Sequence, residues 1–153
     1  MLDIYNNIDS KTDLVQSFQI VSFTLSNEEF ALYISDILEI IKIQSFTIVP
    51  LTKDYVKGII NLRGAIIPVV DLRRKISFYE TELTNLSRII IVHNNNRKVG
   101  FIVDKVNEVI SITQDNLSKF YSDSNEGRFI ESLCTIDDRI ITLFKIEAIM
   151  DNL

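Results

Sequence analysis

Tryptophan is absent from this 153-residue chain, and cysteine, histidine, proline and glycine are scarce, with one, one, two and four copies. Each shortage closes a class of function. A single cysteine, Cys134, allows no intramolecular disulfide and no cysteine-paired zinc site, which fits a reducing, cytosolic compartment. Four glycines leave little backbone to cradle phosphate, and neither Gly-x-x-x-x-Gly-Lys-Ser/Thr nor Gly-x-Gly-x-x-Gly occurs, so nucleotide binding is disfavoured. No apolar run approaches the roughly 20 residues that cross a bilayer. Residues Met1 to Gln16 lack the basic start and apolar stretch of a signal peptide, which makes direct membrane insertion unexpected. Nucleic acid is a poor partner for a net charge of −5 whose longest basic run is Arg73-Arg74-Lys75. That run reads as the solvated end of a strand. The aromatics sit in apolar runs instead of alternating with basic residues, which argues against a barrel for single strands.

What is present is β-forming and apolar. With 46% hydrophobic residues, the chain can bury one compact core, or two small lobes that lean on each other. Residues 1–15 read as a flexible tail and residues 16–150 as one domain. Strands are expected at Phe18–Leu25, Phe30–Ile34, Ile37–Ile43, Thr47–Val49, Arg88–Val92, Lys98–Val103, Val106–Thr113 and Arg139–Phe144. Asn94-Asn95-Asn96 supplies a turn, Glu28-Glu29 a hairpin tip, and Asp137-Asp138-Arg139 a β-turn. Short helices are expected from Thr52 through Val56, over Asp115–Phe120 and over Lys145–Met150. Many short strands without βαβ spacing favour barrels.

A weak internal repeat points to two lobes. Phe30–Ile43 lies over Val99–Ile112 at an offset of 69, with Glu39 falling on Glu108, and Ile66–Leu72 lies over Ile140–Ile146 at an offset of 74.

The densest pattern is Gly58 to Leu72, two apolar strands about a turn at Arg63-Gly64, where glycine supplies positive φ. Arg63 is thereby presented outward. Gly58 is expected to close the preceding helix, and Pro68, which lacks an N–H, to place its strand at an edge or bulge. Catalytic candidates are poor: His93 precedes the asparagine turn as a solvated residue, and Cys134 sits among apolar neighbours as a buried thiol would. A small hydrolase using Cys134 and His93 is the enzymatic alternative. Glu39 and Arg63 remain as charges among apolar residues, explained equally by a structural ion pair and by a binding role.

The run Gly58-Ile-Ile-Asn-Leu-Arg63-Gly64-Ala-Ile-Ile-Pro68-Val-Val-Asp71-Leu-Arg73 strongly resembles the CheW family of bacterial chemotaxis adaptors. Glu29–Ile34, Ile37-x-Glu39-Ile40 and Val99-Gly100-Phe101-Ile102-Val103-Asp104-x-Val106 extend the resemblance over roughly residues 16–150. It implies an all-β fold with a few short helices, built as two pseudo-symmetric five-stranded SH3-like barrel lobes about a shared core and a groove. It also implies a non-enzymatic adaptor without cofactor or metal. Such an adaptor couples the cytoplasmic tip of chemoreceptors to the regulatory domain of the histidine kinase CheA, and to further CheW copies, in cytoplasmic arrays at the membrane. The alternative within the same resemblance is a related adaptor that serves a chemosensory pathway other than motility. By resemblance, receptor binding falls to Ile37, Glu39, Gly58 and Arg63, with Val99, Gly100 and Ile102 as apolar groove walls; kinase-binding residues are not assigned. Arg88, Ser132 and Lys145 depart from the family pattern of apolar residue, glycine and aspartate.

Overall fold

The computed structural model describes residues 16–77, 79–122, 124 and 126–153. The expected tail lies outside the described residues. Eleven strands are described: β1 (Ser17–Leu25), β2 (Glu28–Tyr33), β3 (Ile37–Lys42), β4 (Val56–Leu62), β5 (Ala65–Asp71), β6 (Arg88–Asn94), β7 (Arg97–Val103), β8 (Lys105–Thr113), β9 (Leu117–Lys119), β10 (Ile130–Ile136) and β11 (Arg139–Phe144). Two short helices accompany them, α1 (Leu72–Ser77) and α2 (Ile146–Ile149).

The strands form two sheets, which we call lobe 1, ordered β3-β6-β7-β5-β4, and lobe 2, ordered β8-β1-β2-β11-β10-β9. Substituting β8 for β3, β1 for β6, β2 for β7, β11 for β5 and β10 for β4 turns one order into the other. The offsets of 69 and 74 in the sequence thus correspond to a repeated strand order in the two lobes. Each repeat gives its first two strands to the opposite lobe: β1 and β2 complete lobe 2, while β6 and β7 complete lobe 1. Neither lobe is contiguous in sequence.

Period two along the strands builds three cores. Ile89, Ile91 and Ile102 face inward in lobe 1 with Ile60, Ile67 and Val69. Ile20, Ala31, Cys134, Ile141 and Leu143 fill lobe 2. The alternate residues Ile90, Val92, Phe101, Phe23 and Leu32 pack between the lobes with Phe30 and Phe144. Strands buried on both faces read as continuous apolar runs, which is why simple alternation is hard to see in β6 and β7. The shared core is centred on stacked rings, with Phe30 and Phe144 centroids 4.8 Å apart and Phe23 6.1 Å from Phe144.

Several expectations need correction. No helix covers Thr52–Val56: Thr52 Oγ1 donates to the Val49 carbonyl, and the Asp71 N–H already donates to the Tyr55 carbonyl, so the chain is committed to β4. Gly58 therefore ends no helix. It lies inside β4 at a bulge with φ of +156°, and an added Cβ would stand 2.3 Å from the Thr47 oxygen. The Asp115–Phe120 helix stops after one tight turn, where Asn116 Oδ1 accepts the Thr113 N–H, and Leu117 then pairs with β10 as β9. Arg73-Arg74-Lys75 is helical, not the end of a strand. Asp71 is fully buried, accepts the Arg74 N–H at 3.3 Å to start α1, and takes both the N–H and hydroxyl of Thr81 at 2.9 and 2.7 Å. The β1–β2 tip is Ser26-Asn27, both at positive φ, so Glu28 and Glu29 belong to the strand. β5 is an interior strand, although its parallel ladder with β7 begins only at Val69, one residue beyond Pro68. The helix at the chain's end is where it was expected.

Candidate docking surface

β3 and β4 are the two outer strands of lobe 1, and what brings them together is charge and one loop. Arg63 and Gly64 form the β4–β5 turn with φ of 51° and 86°, and Asn61 Oδ1 accepts the Gly64 N–H at 2.9 Å. Glycine takes this conformation freely; Arg63 holds it at a cost of about 1 kcal/mol. From that turn the Arg63 guanidinium donates to Glu39 Oε2 on β3. The two charges singled out in the sequence are therefore partners across the open seam of the barrel. The Arg63 side chain remains 71% exposed and Glu39 28%. A second link is the bridge between Thr47 and Ile59, whose carbonyl and N–H groups exchange hydrogen bonds of 2.9 and 2.8 Å. Gly58 is required there because the Thr47 carbonyl lies against it.

The other named residues divide into surface and interior. Ile37 begins β3, half-buried against the shared core. Leu38 and Ile40 on the same edge strand are exposed, as is Ile66 just beyond the Arg63 turn. Val99, Gly100 and Ile102 do not line an open groove: all three are buried, with Val99 in the shared core and Ile102 inside lobe 1. A Cβ on Gly100 would come within 2.7 Å of Ile89 Cγ2, so this residue sets how closely β6 and β7 pack. Glycine here serves packing.

A cleft between lobe 2 and α1 has other walls. Leu25, Phe30, Phe129 and Phe144 supply an apolar floor, with Glu28 and Arg73 at its sides, around a volume of about 280 Å³. Arg73 Nη1 stands 3.9 Å from Asp104 Oδ2, while Asp104 Oδ2 accepts the Ser26 N–H at 2.8 Å.

Lobe 2 carries a counterpart of the Arg63–Glu39 pair that the sequence did not reveal. Arg139, expected at a turn and at the start of a strand, donates through Nε and Nη2 to Glu29 at 3.2 and 2.7 Å and through Nη1 to Glu108 at 2.7 Å. Glu108 is the residue that falls on Glu39 in the repeat. The Glu29 carboxyl is held below its usual range, chiefly by the Arg139 hydrogen bond, with burial opposing and the Ser22 hydroxyl assisting. The available signal was the pairing of Glu39 with Glu108, which invited a search for a cation near the matching turn.

Cys134 and His93 belong to different sheets. The thiol is fully buried, at the place in lobe 2 that Ile60 occupies in lobe 1, and burial pushes its pKa up. His93 is exposed at the end of β6, where it pairs with Lys98. Among the described residues no three His, Cys, Asp or Glu side chains converge as metal ligands.

The comparisons with known proteins agree with this geometry. The CheW-like domain family matches residues 19–153. The chemotaxis protein CheW of Helicobacter pylori is 33% identical over 141 residues, spanning 90% of this chain and 84% of that protein. The chemotaxis protein CheW of Thermotoga maritima is 32% identical over 143 residues, spanning 92% and 93%. In structure, the chain is similar to the scaffolding protein TtCheW from Thermoanaerobacter tengcongensis, with a TM-score of 0.83, 36% identity and coverage of 89% and 94%.

Proposed function

The chain belongs to the CheW family of chemotaxis adaptors, and from that premise we propose that it couples chemoreceptors to the histidine kinase CheA without doing chemistry itself. The observation that carries the reading is Arg63, a cation displayed on a strained turn, held by one carboxylate and otherwise open to solvent. Exposed Leu38, Ile40 and Ile66 surround that part of the lobe with apolar surface. An amphipathic receptor helix gains affinity from burying such residues and gains register from a charge at the rim. Ile37, Glu39, Gly58 and Arg63 make up the receptor-facing surface in this proposal, Gly58 by shaping the backbone beneath it. Val99, Gly100 and Ile102 support the lobe from within. The ends of the lobes are left for the kinase and for further copies of the adaptor, in a cytoplasmic array recruited to membrane receptors. The buried Cys134 thiol, in a different sheet from His93, supports a role without catalysis.

Co-sedimentation with a receptor cytoplasmic fragment and CheA, with autophosphorylation read in the same tubes, tests the proposal. Wild type is expected to join the complex and raise kinase activity, while Arg63→Glu keeps a wild-type circular dichroism spectrum and fails to assemble. Equal assembly by the variant would remove Arg63 from the docking surface. Failure of wild type to co-sediment would remove the adaptor role itself.

A further inference from the structure

A second charged corner lies at the chain's last turn, on residues that neither the repeat nor the family motifs single out. Lys53 Nζ and the Tyr55 hydroxyl donate to the Asn152 carbonyl at 2.9 and 2.7 Å, and Lys75 Nζ donates to the Asp151 carbonyl at 2.6 Å. Arg97 reaches the Met150 and Leu153 carbonyls at 3.5 and 3.4 Å. These cations come from the loop before β4, from α1 and from the β6–β7 hairpin, so the fold concentrates them; the sequence does not. Arg128 adds to the field felt by Lys75.

Their hydrogen-bond partners in the last turn are main-chain oxygens, and Asp151 is the acidic side chain that pulls on Lys75. Lys75 itself is half-buried, 4.5 Å over the Tyr55 ring, and its pKa falls to about 8, first through burial and then through repulsion from Lys53, Arg128 and Arg97, against which Asp151 pulls. In a protein of net charge −5, Lys53, Arg97 and Arg128 act on Lys75 with like charge and Asp151 with opposite charge. Next to it opens a cleft of about 670 Å³ lined by Val49, Leu51, Ile59 and Pro68, with Lys53 at its rim. Leu51 is fully exposed, on a backbone with φ of 61°.

We propose that this corner docks an acidic segment of a partner protein, whose carboxylates meet Lys53, Lys75 and Arg97 while an apolar side chain enters the cleft beside Leu51. Charge complementarity selects the occupant: an apolar peptide leaves the cations uncompensated, and a basic one adds to the repulsion. The cations stand on other elements than Arg63 and Glu39, and the proposal does not depend on the receptor or the kinase.

Fluorescence anisotropy with a labelled peptide of glutamates flanking two leucines tests it, beside the same peptide with lysines for glutamates. Wild type is expected to bind the glutamate peptide and not the lysine one, with affinity falling about tenfold as salt rises through the range where the screening length shortens to several ångströms. Lys53→Glu combined with Arg97→Glu, both exposed positions, is expected to lose at least about tenfold in affinity with an unchanged melting temperature. Lys53→Gln with Arg97→Gln serves the same purpose if the reversed charges disturb the fold. Leu51→Ser is expected to lose about threefold, the worth of a small part of one apolar side chain. No binding of the glutamate peptide at low salt, equal binding of both peptides, or unchanged affinity in both charge variants would overturn the proposal.

Discussion

The two lobes share a strand order and a core pattern, yet they close their seams differently. In lobe 2, Arg139 spends its donors on two carboxylates, with a forked contact to Glu29 and a single one to Glu108. In lobe 1, Arg63 meets Glu39 alone and stays largely exposed. The difference follows from the offset of 74, which carries Arg63 onto Asp137, not Arg139. Two residues further along, the arginine belongs to the first position of β11 and can reach β2 as well as β8. The same architecture thus yields one cation engaged by two carboxylates and another that stays largely exposed. The bulges differ as well. β4 and β10 are both bulged two residues in, at Gly58 and Ser132, but only Gly58 carries the positive φ and the carbonyl pressed against its Cα. Ser132, a departure from the family's usual glycine, fits because lobe 2 does not repeat that φ.

The largest expected effect comes from the element the lobes share. Phe144 stacks on Phe30 and Phe23 across the middle, and Val70 is its counterpart in the repeat. Phe144→Ala is expected to cost about 3–5 kcal/mol in urea denaturation, through lost burial and the cavity left behind. Because neither lobe is contiguous, both should unfold together; two separate transitions would show that the lobes are independent after all. Next in size, Gly58→Ala is expected to cost about 2–4 kcal/mol, from backbone strain and the clash with Thr47. Ser132→Gly, at the matching bulge, should cost under about 1 kcal/mol. Equal losses at the two positions would mean that the bulges are equivalent and that the contrast between the lobes is mistaken.

Much of this was legible in the sequence because strand periodicity and repeat offsets survive in apolar runs. Glu39 over Glu108 is part of the repeat that relates β3 to β8, and Arg63-Gly64 located a turn. What stayed hidden depends on contacts between segments far apart in the chain. Thr52 looks like a helix cap until the Tyr55 carbonyl is claimed by Asp71, and Arg73-Arg74-Lys75 looks like a solvated strand end until Asp71 caps it into a helix. Val99, Gly100 and Ile102 were groove walls by resemblance alone, and an apolar run does not say which side of a doubly covered strand faces open space. The exchange of β1–β2 and β6–β7 between lobes puts those residues inside. β10 is hard to see in the sequence because Leu133-Cys134-Thr135-Ile136 fits a buried thiol as well as a strand; Cys134 pairs with Ile141 in it.

The smallest effect is the sharpest test of the contrast between the two arginines. Arg139→Ala is expected to cost about 1 kcal/mol at neutral pH, since its partners are partly exposed and solvent weakens the attraction. The loss should depend on pH in one direction. Arg139 holds the Glu29 carboxyl below its ordinary value of 4.5, so its contribution is fully present above that value and fades as the pH falls through the depressed one. Wild type and Arg139→Ala should therefore differ between pH 5 and 7 by about 1 kcal/mol and converge in acid, once the pH is below the depressed Glu29 value, in paired urea titrations. Arg63→Glu, by contrast, should stay within about 0.5 kcal/mol of wild type at neutral pH, because one exposed pair contributes little to stability. If Arg63→Glu destabilised the protein as much as Arg139→Ala, both arginines would be structural clasps, and the display of Arg63 would no longer support a docking role. If only Arg139 matters to stability, the charge that lobe 1 leaves exposed is free to be judged by what it binds.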